Sequence, residues 1–287
     1  MNQHEKALAF QSLHWQEDAF ILPNPWDAGS ARLLTMGGFA ALATTSAGFA
    51  FSRGHADNTL SREVVIAHVR DVVAATPLPV SADLEDGFGD APEIMAETIG
   101  MAAKAGAVGG SIEDATRWPE QPLYPLSLAV ERIQAAVEAA RLLPFPFTIT
   151  ARAENYTTGN GDIDDTIRRL QAYETAGAEV LFAPGITRRE DIALLVSSVK
   201  APINVMAGSS VLRLSIAELG ELGVKRISLG GSLARAALSA LMLAAREVRD
   251  QGSFSYAEAA MSAGEINRLF SQPVDQIPDH TTKAKTP

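Results

Sequence analysis

Short apolar runs alternate with longer amphipathic stretches along almost the whole chain. Eight of these runs lack a regular polar alternation, which is typical of parallel strands covered on both faces. They span residues 19–23, 38–44, 78–83, 107–113, 146–150, 178–183, 202–207 and 224–230. Eight strand–helix units with short joins predict an α/β fold, a closed (β/α)8 TIM-type barrel, with an open doubly wound sheet as the alternative.

The stretches between the strands carry helix start signals, such as Ser127 before LAVERIQAAVEAARLL. Two further helical patterns, residues 2–14 and 255–271, lie outside the eight units. We therefore expect a single domain over residues 1–272, made of the barrel and extra N-terminal and C-terminal helices. The polar segment 273–287 is expected to be a disordered tail.

Composition narrows the range of functions. The formal net charge is −10, whereas nucleic acids and anionic membranes are bound through clustered Lys and Arg, so neither is an expected partner. The chain has no cysteine, which excludes disulfides, thiolate metal sites and a cysteine nucleophile. No apolar run reaches the roughly 18 residues of a membrane span, and the first residues do not resemble a signal peptide. We expect a cytoplasmic protein.

Polar residues concentrate where the predicted strands end, which is the position of the active site in (β/α)8 barrels. The candidates at these ends are Thr45, Ser46, Asp57, Asp83, Glu85, Glu113, Arg152, Glu154 and Asn204. Side chains two residues apart on a strand point the same way. Asp83 and Glu85 are therefore expected to face one direction, and so are Arg152 and Glu154.

The acids of VSADLEDGFGD follow the third predicted strand directly. Carboxylates that converge without a partner repel one another and take up protons. A hard cation bound through oxygen removes that conflict, and Mg²⁺ or Mn²⁺ prefers such ligands together with water. For any single acid, a solvated turn or cap residue is the alternative interpretation, and it is the one we adopt for Asp86, Asp90 and Asp114.

Other polar groups near the strand ends have two interpretations each. Arg152 follows the apolar run FTIT, which favours a functional role, although a salt bridge to Glu154 would also account for it. The hydroxyls and amides of TTSAG suit a carboxylate or phosphate oxygen, and a simple small-residue turn is the alternative. His55 is the histidine nearest to these loops and a candidate base.

These residues, in this order, resemble the isocitrate lyase/phosphoenolpyruvate mutase superfamily over roughly residues 15–250. NPWDAGSARLLTMGGFAALATTSAG resembles its opening strand, helix and substrate loop, and SADLEDGFGD its Asp-x-Asp-x-Gly-x-Gly metal motif. GGSIED, ITARAEN and RISLGGSLARAAL resemble its Ile-Glu-Asp element, its Ala-Arg-x-Glu strand and its last strand with the following helix. The resemblance implies a (β/α)8 barrel, Mg²⁺ and α-keto or 2-hydroxy acid substrates.

Carried over residue by residue, the resemblance implies a role for each candidate. Asp83 matches the direct metal ligand, and Asp57, Glu85 and Glu113 match the acids that hold metal-bound waters. Arg152 matches the arginine that contacts substrate oxygens, so Arg152 and Glu113 are the candidate catalytic residues. The candidate substrate-binding residues are Trp26, Thr45, Ser46, Ala47, Arg152 and Asn204. A homodimer or homotetramer that exchanges its C-terminal helices is also implied.

The chain departs from the family pattern at three places. Glu85 stands where Asp is usual, and Ala47 replaces a usual glycine. Between Asp114 and Ala129 the chain reads ATRWPEQPLYPLSL. This segment lacks the Lys-Lys-Cys-Gly loop of the lyases and the asparagine of the phosphonomutases. Its three prolines predict a stiff cover rather than a mobile lid.

A site that keeps the chelating acids but lacks the loop acid suits a reaction that needs only an electron sink. We therefore expect a Mg²⁺-dependent carbon–carbon lyase, of decarboxylase or retro-aldol/Claisen type, acting on a small α-keto or 2-hydroxy acid through a pyruvate-like enolate. Hydrolysis of a carbon–phosphorus or carbon–carbon bond and a non-catalytic α-keto acid binder are the alternatives. The proton donor stays open between water and Tyr124.

Overall fold

The computed structural model describes residues 1–274, in which eight parallel strands are ringed by helices. The strands are β1 (Phe20–Leu22), β2 (Leu42–Ala43), β3 (Val80–Asp83), β4 (Gly109–Glu113), β5 (Thr148–Arg152), β6 (Val180–Phe182), β7 (Ile203–Met206) and β8 (Arg226–Ser228). They pair in the order β1-β8-β7-β6-β5-β4-β3-β2. All eight predicted strands and the (β/α)8 barrel are confirmed. The order contains no reversal of the kind that defines a doubly wound sheet.

Helices alternate with the strands along the chain. Their bounds are α1 (Gln3–Leu13), α2 (Ala28–Met36), α3 (Ser46–Ser52), α4 (Arg62–Ala74), α5 (Pro92–Lys104), α6 (Leu126–Arg141), α7 (Ile163–Thr175), α8 (Arg189–Ser198), α9 (Ile216–Glu221), α10 (Ser232–Gln251) and α11 (Ala263–Ser271). Within residues 1–274, none of them is long and apolar enough to cross a membrane.

Two sequence predictions about the helices need correction. Helix α6 begins at Leu126 after Pro125, so Ser127 lies inside the first turn and is not the residue before the helix. Proline suits a helix start because it has no amide proton to satisfy there. The pattern over 255–271 is two elements, a short 3₁₀ helix (Ser255–Glu258) and α11. The predicted tail lies outside the described residues from residue 275 onward.

The barrel closes along a seam between its two end strands, β1 and β2. Among the described residues, these strands are joined by the amide of Ala43, which donates to the carbonyl of Pro23 at 3.1 Å. Asn24 completes the closure. Its Nδ2 donates to the carbonyl of Thr44 at 2.9 Å, and its Oδ1 accepts from the two amides just after β8 at 2.9 and 2.8 Å. One buried side chain therefore ties together the loops that follow β1, β2 and β8.

Two buried histidines make the free energy of unfolding depend on pH. Burial lowers the pKa of His14 from 6.5 to about 3, helped by the charge of Arg226, and lowers that of His68 to about 4 against weak opposition from Asp71 and Asp27. The unfolded chain therefore binds more protons below about pH 6.5, so stability falls as pH falls. We expect losses of up to about 1.4 kcal/mol per histidine and pH unit in urea unfolding followed between about pH 7 and pH 5.

His68→Phe is the control for this pH dependence. The His68 ring is stacked on Phe49, with centroids 3.8 Å apart and planes 3° apart, and its Nε2 has no hydrogen-bond partner in the described part of the chain. Phenylalanine can keep the stack and removes the titrating group. In the variant, the free energy of unfolding should depend less steeply on pH, by the contribution of His68. An unchanged pH dependence would show that His68 does not contribute to it.

Candidate active site

A cavity of about 640 Å³ opens at the carboxyl ends of the strands, and all eight strands contribute to its wall. The small side chains of Ala43, Ser81 and Ser111 keep the upper part of the barrel interior open. A second cavity of about 270 Å³ adjoins it beside the segment 115–117, and both are lined by Glu113. The polar residues identified at the strand ends are therefore gathered around one hollow.

Arg152, the last residue of β5, lies between three carboxylates. Its guanidinium lies 3.0 Å from Oδ1 of Asp83, 2.8 Å from Oε2 of Glu113 and 2.7 Å from Oε1 of Glu154. Burial alone would lower the pKa of Arg152, but Glu154, Glu113 and Asp83 raise it, so the group stays charged. The salt bridge to Glu154 and the position at the cavity wall both hold, and the two side chains line the same cavity, in line with the expectation that they face one direction.

The carboxylate behind this cluster is Asp114, which the sequence suggested was a loop or cap residue. It is instead buried, with 3% of its surface exposed. It accepts from the amide of Glu154 at 2.8 Å, from Arg169 at 3.1 Å and from the hydroxyl of Tyr173 at 2.6 Å. Burial raises the pKa of Asp114 against these three donors. Asp114 therefore fixes the backbone that carries Glu154, and through Glu154 the orientation of Arg152.

The loop after β2 holds Asp83 in place. The hydroxyl of Thr44 accepts from the amide of Asp83 at 2.8 Å, and the amide of Ser46 donates to Oδ2 of Asp83 at 3.0 Å. Thr45 caps the start of α3, with its hydroxyl accepting from the amide three residues on. Ala47 lies at the cavity wall, where a Cβ added to Gly231 would be 3.4 Å from its own Cβ. The predicted substrate loop thus lies beside the predicted metal ligand.

Asp57 reaches the cavity from the loop between α3 and α4. Loss of water around its carboxylate and the charge of Asp83 raise its pKa, while a hydrogen bond from Ser46 lowers it. An acid brought there from a loop extends the negative charge of the strand ends across the cavity.

Glu85 does not follow the strand alternation with Asp83. Strand β3 ends at Asp83, and Glu85 has a φ of 50°, in the left-handed region, so its carboxylate borders the adjoining cavity. It is 2% exposed, and its Oε2 has no hydrogen-bond partner among the described residues. The guanidinium of Arg117 is 3.9 Å away. Burial, followed by the charges of Asp83, Asp57 and Asp86, raises the pKa of Glu85 to about 8.

The segment 115–123 folds as a tight hairpin beside the adjoining cavity, which its residues 115–117 line. Ala115 bridges to Leu123, and Arg117 donates twice to the buried Asp86, at 2.9 and 3.1 Å. Asp86 also accepts from the amide of Phe88 at 2.9 Å, so it is a loop residue as expected, but it is buried and ion-paired rather than solvated. The hydroxyl of Tyr124 donates to Asp90 at 2.6 Å.

The remaining candidates divide into two groups. Asn204 is buried at the cavity wall, where its amide donates to Ser228 at 3.0 Å and its Oδ1 accepts from Arg226 at 2.9 Å. Trp26, His55 and Tyr124 do not occur among the described residues that line the cavity. The hydroxyl of Tyr124 donates to Asp90 instead, and the proton donor to the substrate stays open between water and Tyr124. Trp26 packs behind the substrate loop, close to Gly48 of α3.

Two site residues escaped the sequence reasoning. Arg226 lines the cavity from β8, and Asn24 lines it from the loop after β1. Arg226 could have been found from its position inside the apolar run VKRISLG, where a charged residue is unusual. Asn24 lies between two prolines in PNPW and gives no sign of its three hydrogen bonds.

The acids around the cavity suit a hard divalent cation. These acids offer oxygen atoms only. The charge of Asp83 disfavours the anionic forms of Asp57 and Glu85, and one buried oxygen of Glu85 has no partner in the described part of the chain. Within residues 1–274, no three acidic or histidine side chains stand close enough to ligate one ion directly. Such a donor set matches Mg²⁺, which commonly takes one or two carboxylates and keeps several waters.

Comparison with known proteins identifies a family and named relatives that this chain resembles. Residues 10–249 match the family model described as phosphoenolpyruvate phosphomutase. The chain is 30% identical to the 2-methylisocitrate lyase of Escherichia coli strain K12, over 71% of this chain and 70% of that protein. It is also 30% identical to the oxaloacetate decarboxylase of Paraburkholderia xenovorans strain LB400, over 79% of this chain and 76% of that protein.

Solved structures extend the comparison. A crystal structure from Burkholderia cenocepacia J2315, described provisionally as a lyase/mutase, is 59% identical with a TM-score of 0.93, over 94% of this chain and 97% of that chain. A phosphonopyruvate hydrolase crystallised with oxalate and Mg²⁺ is 24% identical with a TM-score of 0.83, over 94% of this chain and 95% of that chain. Because the identity to the hydrolase is only 24%, this similarity shows a shared fold and nothing about activity.

Proposed function

The chain belongs to the phosphoenolpyruvate phosphomutase family, and from that premise we propose that it is a Mg²⁺-dependent carbon–carbon lyase acting on a small α-keto or 2-hydroxy acid. The lyase class follows from the family and from relatives that are lyases. The observation that supports the proposal most directly is the placement of Arg152 between Asp83 and Glu113 at the wall of one cavity. Cation and acids together suit a substrate whose oxygens gain negative charge as a carbon–carbon bond breaks.

We assign Asp83 as the direct metal ligand, and Asp57, Glu85 and Glu113 as acids that hold the ion's waters. Mn²⁺ would satisfy the same oxygen donors. When bound, the ion would polarise the keto and carboxylate oxygens of the substrate and so favour negative charge on them. The unpartnered oxygen of Glu85 and the mutual repulsion of the acids support this assignment.

The chain's own residues would bind and orient the substrate. Arg152 donates to a substrate carboxylate or to the oxygen that becomes negative, and its three carboxylate partners hold the guanidinium in one orientation. Thr45, Ser46 and Ala47 offer amides and hydroxyls to a second substrate oxygen, and Asn204 faces the same space from β7. Trp26 would support the substrate loop from behind rather than contact the substrate.

A substrate screen tests the proposal. Oxaloacetate, other α-keto diacids, 2-hydroxy diacids and phosphonopyruvate are incubated with the protein, with and without Mg²⁺, and pyruvate, CO₂ and phosphate are followed separately. Mg²⁺-dependent release of pyruvate or CO₂ is the expected result. Release of phosphate would assign the protein to carbon–phosphorus hydrolysis. Mg²⁺-dependent binding of keto acids without any conversion would leave a binding protein.

As part of the same proposal, we place the protein in the cytoplasm as a homodimer or homotetramer that exchanges its C-terminal helices. Helix α10 supports this because it exposes an apolar stripe at helical spacing, formed by Leu238, Leu241, Met242 and Val248. Leu241 alone is 63% exposed. A stripe of this kind is buried when a second copy packs against it.

Leu241→Asp is expected to shift the protein from oligomer to monomer, raising the dissociation constant on the order of 100-fold, because a charge replaces a central apolar contact. Size-exclusion chromatography with light scattering over a dilution series measures the change. Leu142→Asp is the matched control, since Leu142 is 88% exposed at the end of α6 and lies outside the stripe. A monomeric wild type, or equal dissociation of both variants, would contradict the exchange of α10.

A further inference from the structure

Arg226 is a buried cation without an acidic partner. It begins β8, is 3% exposed and lines the cavity. Its guanidinium donates to Oδ1 of Asn204 at 2.9 Å and to the hydroxyl of Thr150 at 3.1 Å, and it lies 3.3 Å from Nε2 of His14. All three partners are uncharged. Among the described residues, no carboxylate forms a salt bridge with it, in contrast to Arg152.

His14 cannot supply the missing negative charge. Its Nδ1 lies 2.9 Å from the carbonyl of Phe10 and donates to it, which leaves Nε2 as an acceptor for Arg226. Burial lowers the pKa of His14 to about 3, so the ring is neutral. Burial also lowers the pKa of Arg226 to about 9, still above neutrality, so the guanidinium keeps its charge.

A buried charge that is paired only with neutral groups destabilises a fold, and an apolar residue of similar volume is often more stable at such a position. Packing therefore gives no reason for an arginine at this position. An anion that enters the cavity does give one. Nε and Nη1 of Arg226 are engaged by Asn204, Thr150 and His14, whereas Nη2 has no hydrogen-bond partner among the described residues and can donate to a carboxylate.

The position of Arg226 fixes where such an anion would lie. Thr150, its hydrogen-bond partner, precedes Arg152 by two residues on β5, which is roughly 7 Å along the strand toward the interior of the barrel. Both arginines line the same cavity. Ser111 and Ser228 line this cavity as well. The cavity thus has a reactive end near Asp83 and a cationic floor.

We propose that Arg226 binds a second, remote carboxylate of the substrate and so selects diacids over monoacids. The proposal rests on the proposed function for the orientation of the substrate, with the keto acid end at Asp83 and Arg152. It adds a specificity-determining residue on β8.

The test separates the two ends of the cavity. Oxalate binding with and without Mg²⁺, measured by calorimetry on the full chain, reports on the metal end and hence on the proposed function. Succinate and acetate binding in the presence of a chelator reports on the floor alone. Wild type is expected to prefer succinate to acetate. Arg226→Met should weaken succinate binding by about 10- to 100-fold, the effect of losing a charged hydrogen-bonded pair, and should leave Mg²⁺-dependent oxalate binding in place.

Arg235→Gln is the matched control, because it removes an exposed cation from the mouth of the same cavity. It should keep the preference for succinate. Succinate binding that is unchanged in Arg226→Met, or lost equally in Arg235→Gln, would overturn the proposal. A wild type that does not bind oxalate in the presence of Mg²⁺ would overturn the proposed function. The succinate measurement would still test the role of Arg226 by itself.

Stability gives a second, independent readout. Arg226→Met should unfold in urea at the same concentration as wild type or a higher one, because an unpaired buried charge has been removed. Arg226→Lys keeps the charge and decides the matter if the methionine variant does not fold. It should still prefer succinate to acetate, and a folded lysine variant without that preference would overturn the proposal.

Discussion

Asp83→Asn is expected to lower Mg²⁺-dependent turnover by about 10³-fold or more, because it removes the charged oxygen that we assign as the direct metal ligand. Asparagine keeps the size of the side chain and can still accept from Ser46, so the loop after β2 should stay in place. The loss should appear in kcat and should be only partly recovered by raising the Mg²⁺ concentration. Initial rates over a Mg²⁺ titration measure both effects.

The matched control is Asp90→Asn, the same change in the same DGFGD segment. Asp90 accepts from Tyr124 and lies outside the cavity wall in the described part of the chain. Its neutralisation should change turnover by about twofold at most, in line with an exposed substitution. Full Mg²⁺-dependent activity in Asp83→Asn would remove Asp83 from the metal site.

Arg152→Lys is expected to reduce kcat by about 10²- to 10³-fold, the size of effect seen when a group that stabilises developing negative charge is removed. The guanidinium serves Asp83, Glu113 and Glu154 at once, at 3.0, 2.8 and 2.7 Å. An ammonium group is a point charge and cannot reproduce that fork. Steady-state kinetics on the substrate identified by the screen, at a temperature where urea unfolding shows the variant folded, measure the effect.

Arg168→Lys is the control for this substitution. Arg168 pairs with Asp165 on the surface of α7, where 66% of its side chain is exposed. Exposed ion pairs contribute little, so its kinetics should match the wild type. If Arg152→Lys also retains wild-type kinetics, the arginine serves only to neutralise the three acids and has no part in the reaction.

The sequence was sufficient to predict the barrel because every strand is covered on both faces and therefore reads as a short apolar run. It also located the charged residues of the site, since Asp83, Glu113 and Arg152 are the last residues of β3, β4 and β5. Strand alternation failed at Glu85, because the backbone turns into the left-handed region just after Asp83. Only three-dimensional packing shows that this carboxylate is buried without a partner.

Buried ion pairs were the other feature that the sequence did not predict. Asp86 and Asp114 have the sequence context of loop residues, and their partners Arg117 and Arg169 are 31 and 55 residues away in the chain. Local pattern carries no information about such distant partners. The same holds for Arg226, whose inward direction follows from the register of β8 against β7 and not from the composition of the strand.

The way the barrel closes bears on how a substrate enters. Local opening is easiest where few main-chain hydrogen bonds and contacts must be broken, and the join of β1 to β2 relies on the Ala43 amide and on Asn24. Thr45 and Ser46 lie on one side of that join, whereas Asp83 and Glu113 belong to the continuous hydrogen-bonded ladders of β3, β4 and β5. Local opening at this join would therefore widen the entrance and would reach Asp83, which the loop after β2 holds, before it reaches Glu113 of β4. Amide hydrogen exchange should be faster at Ala43 than in β4.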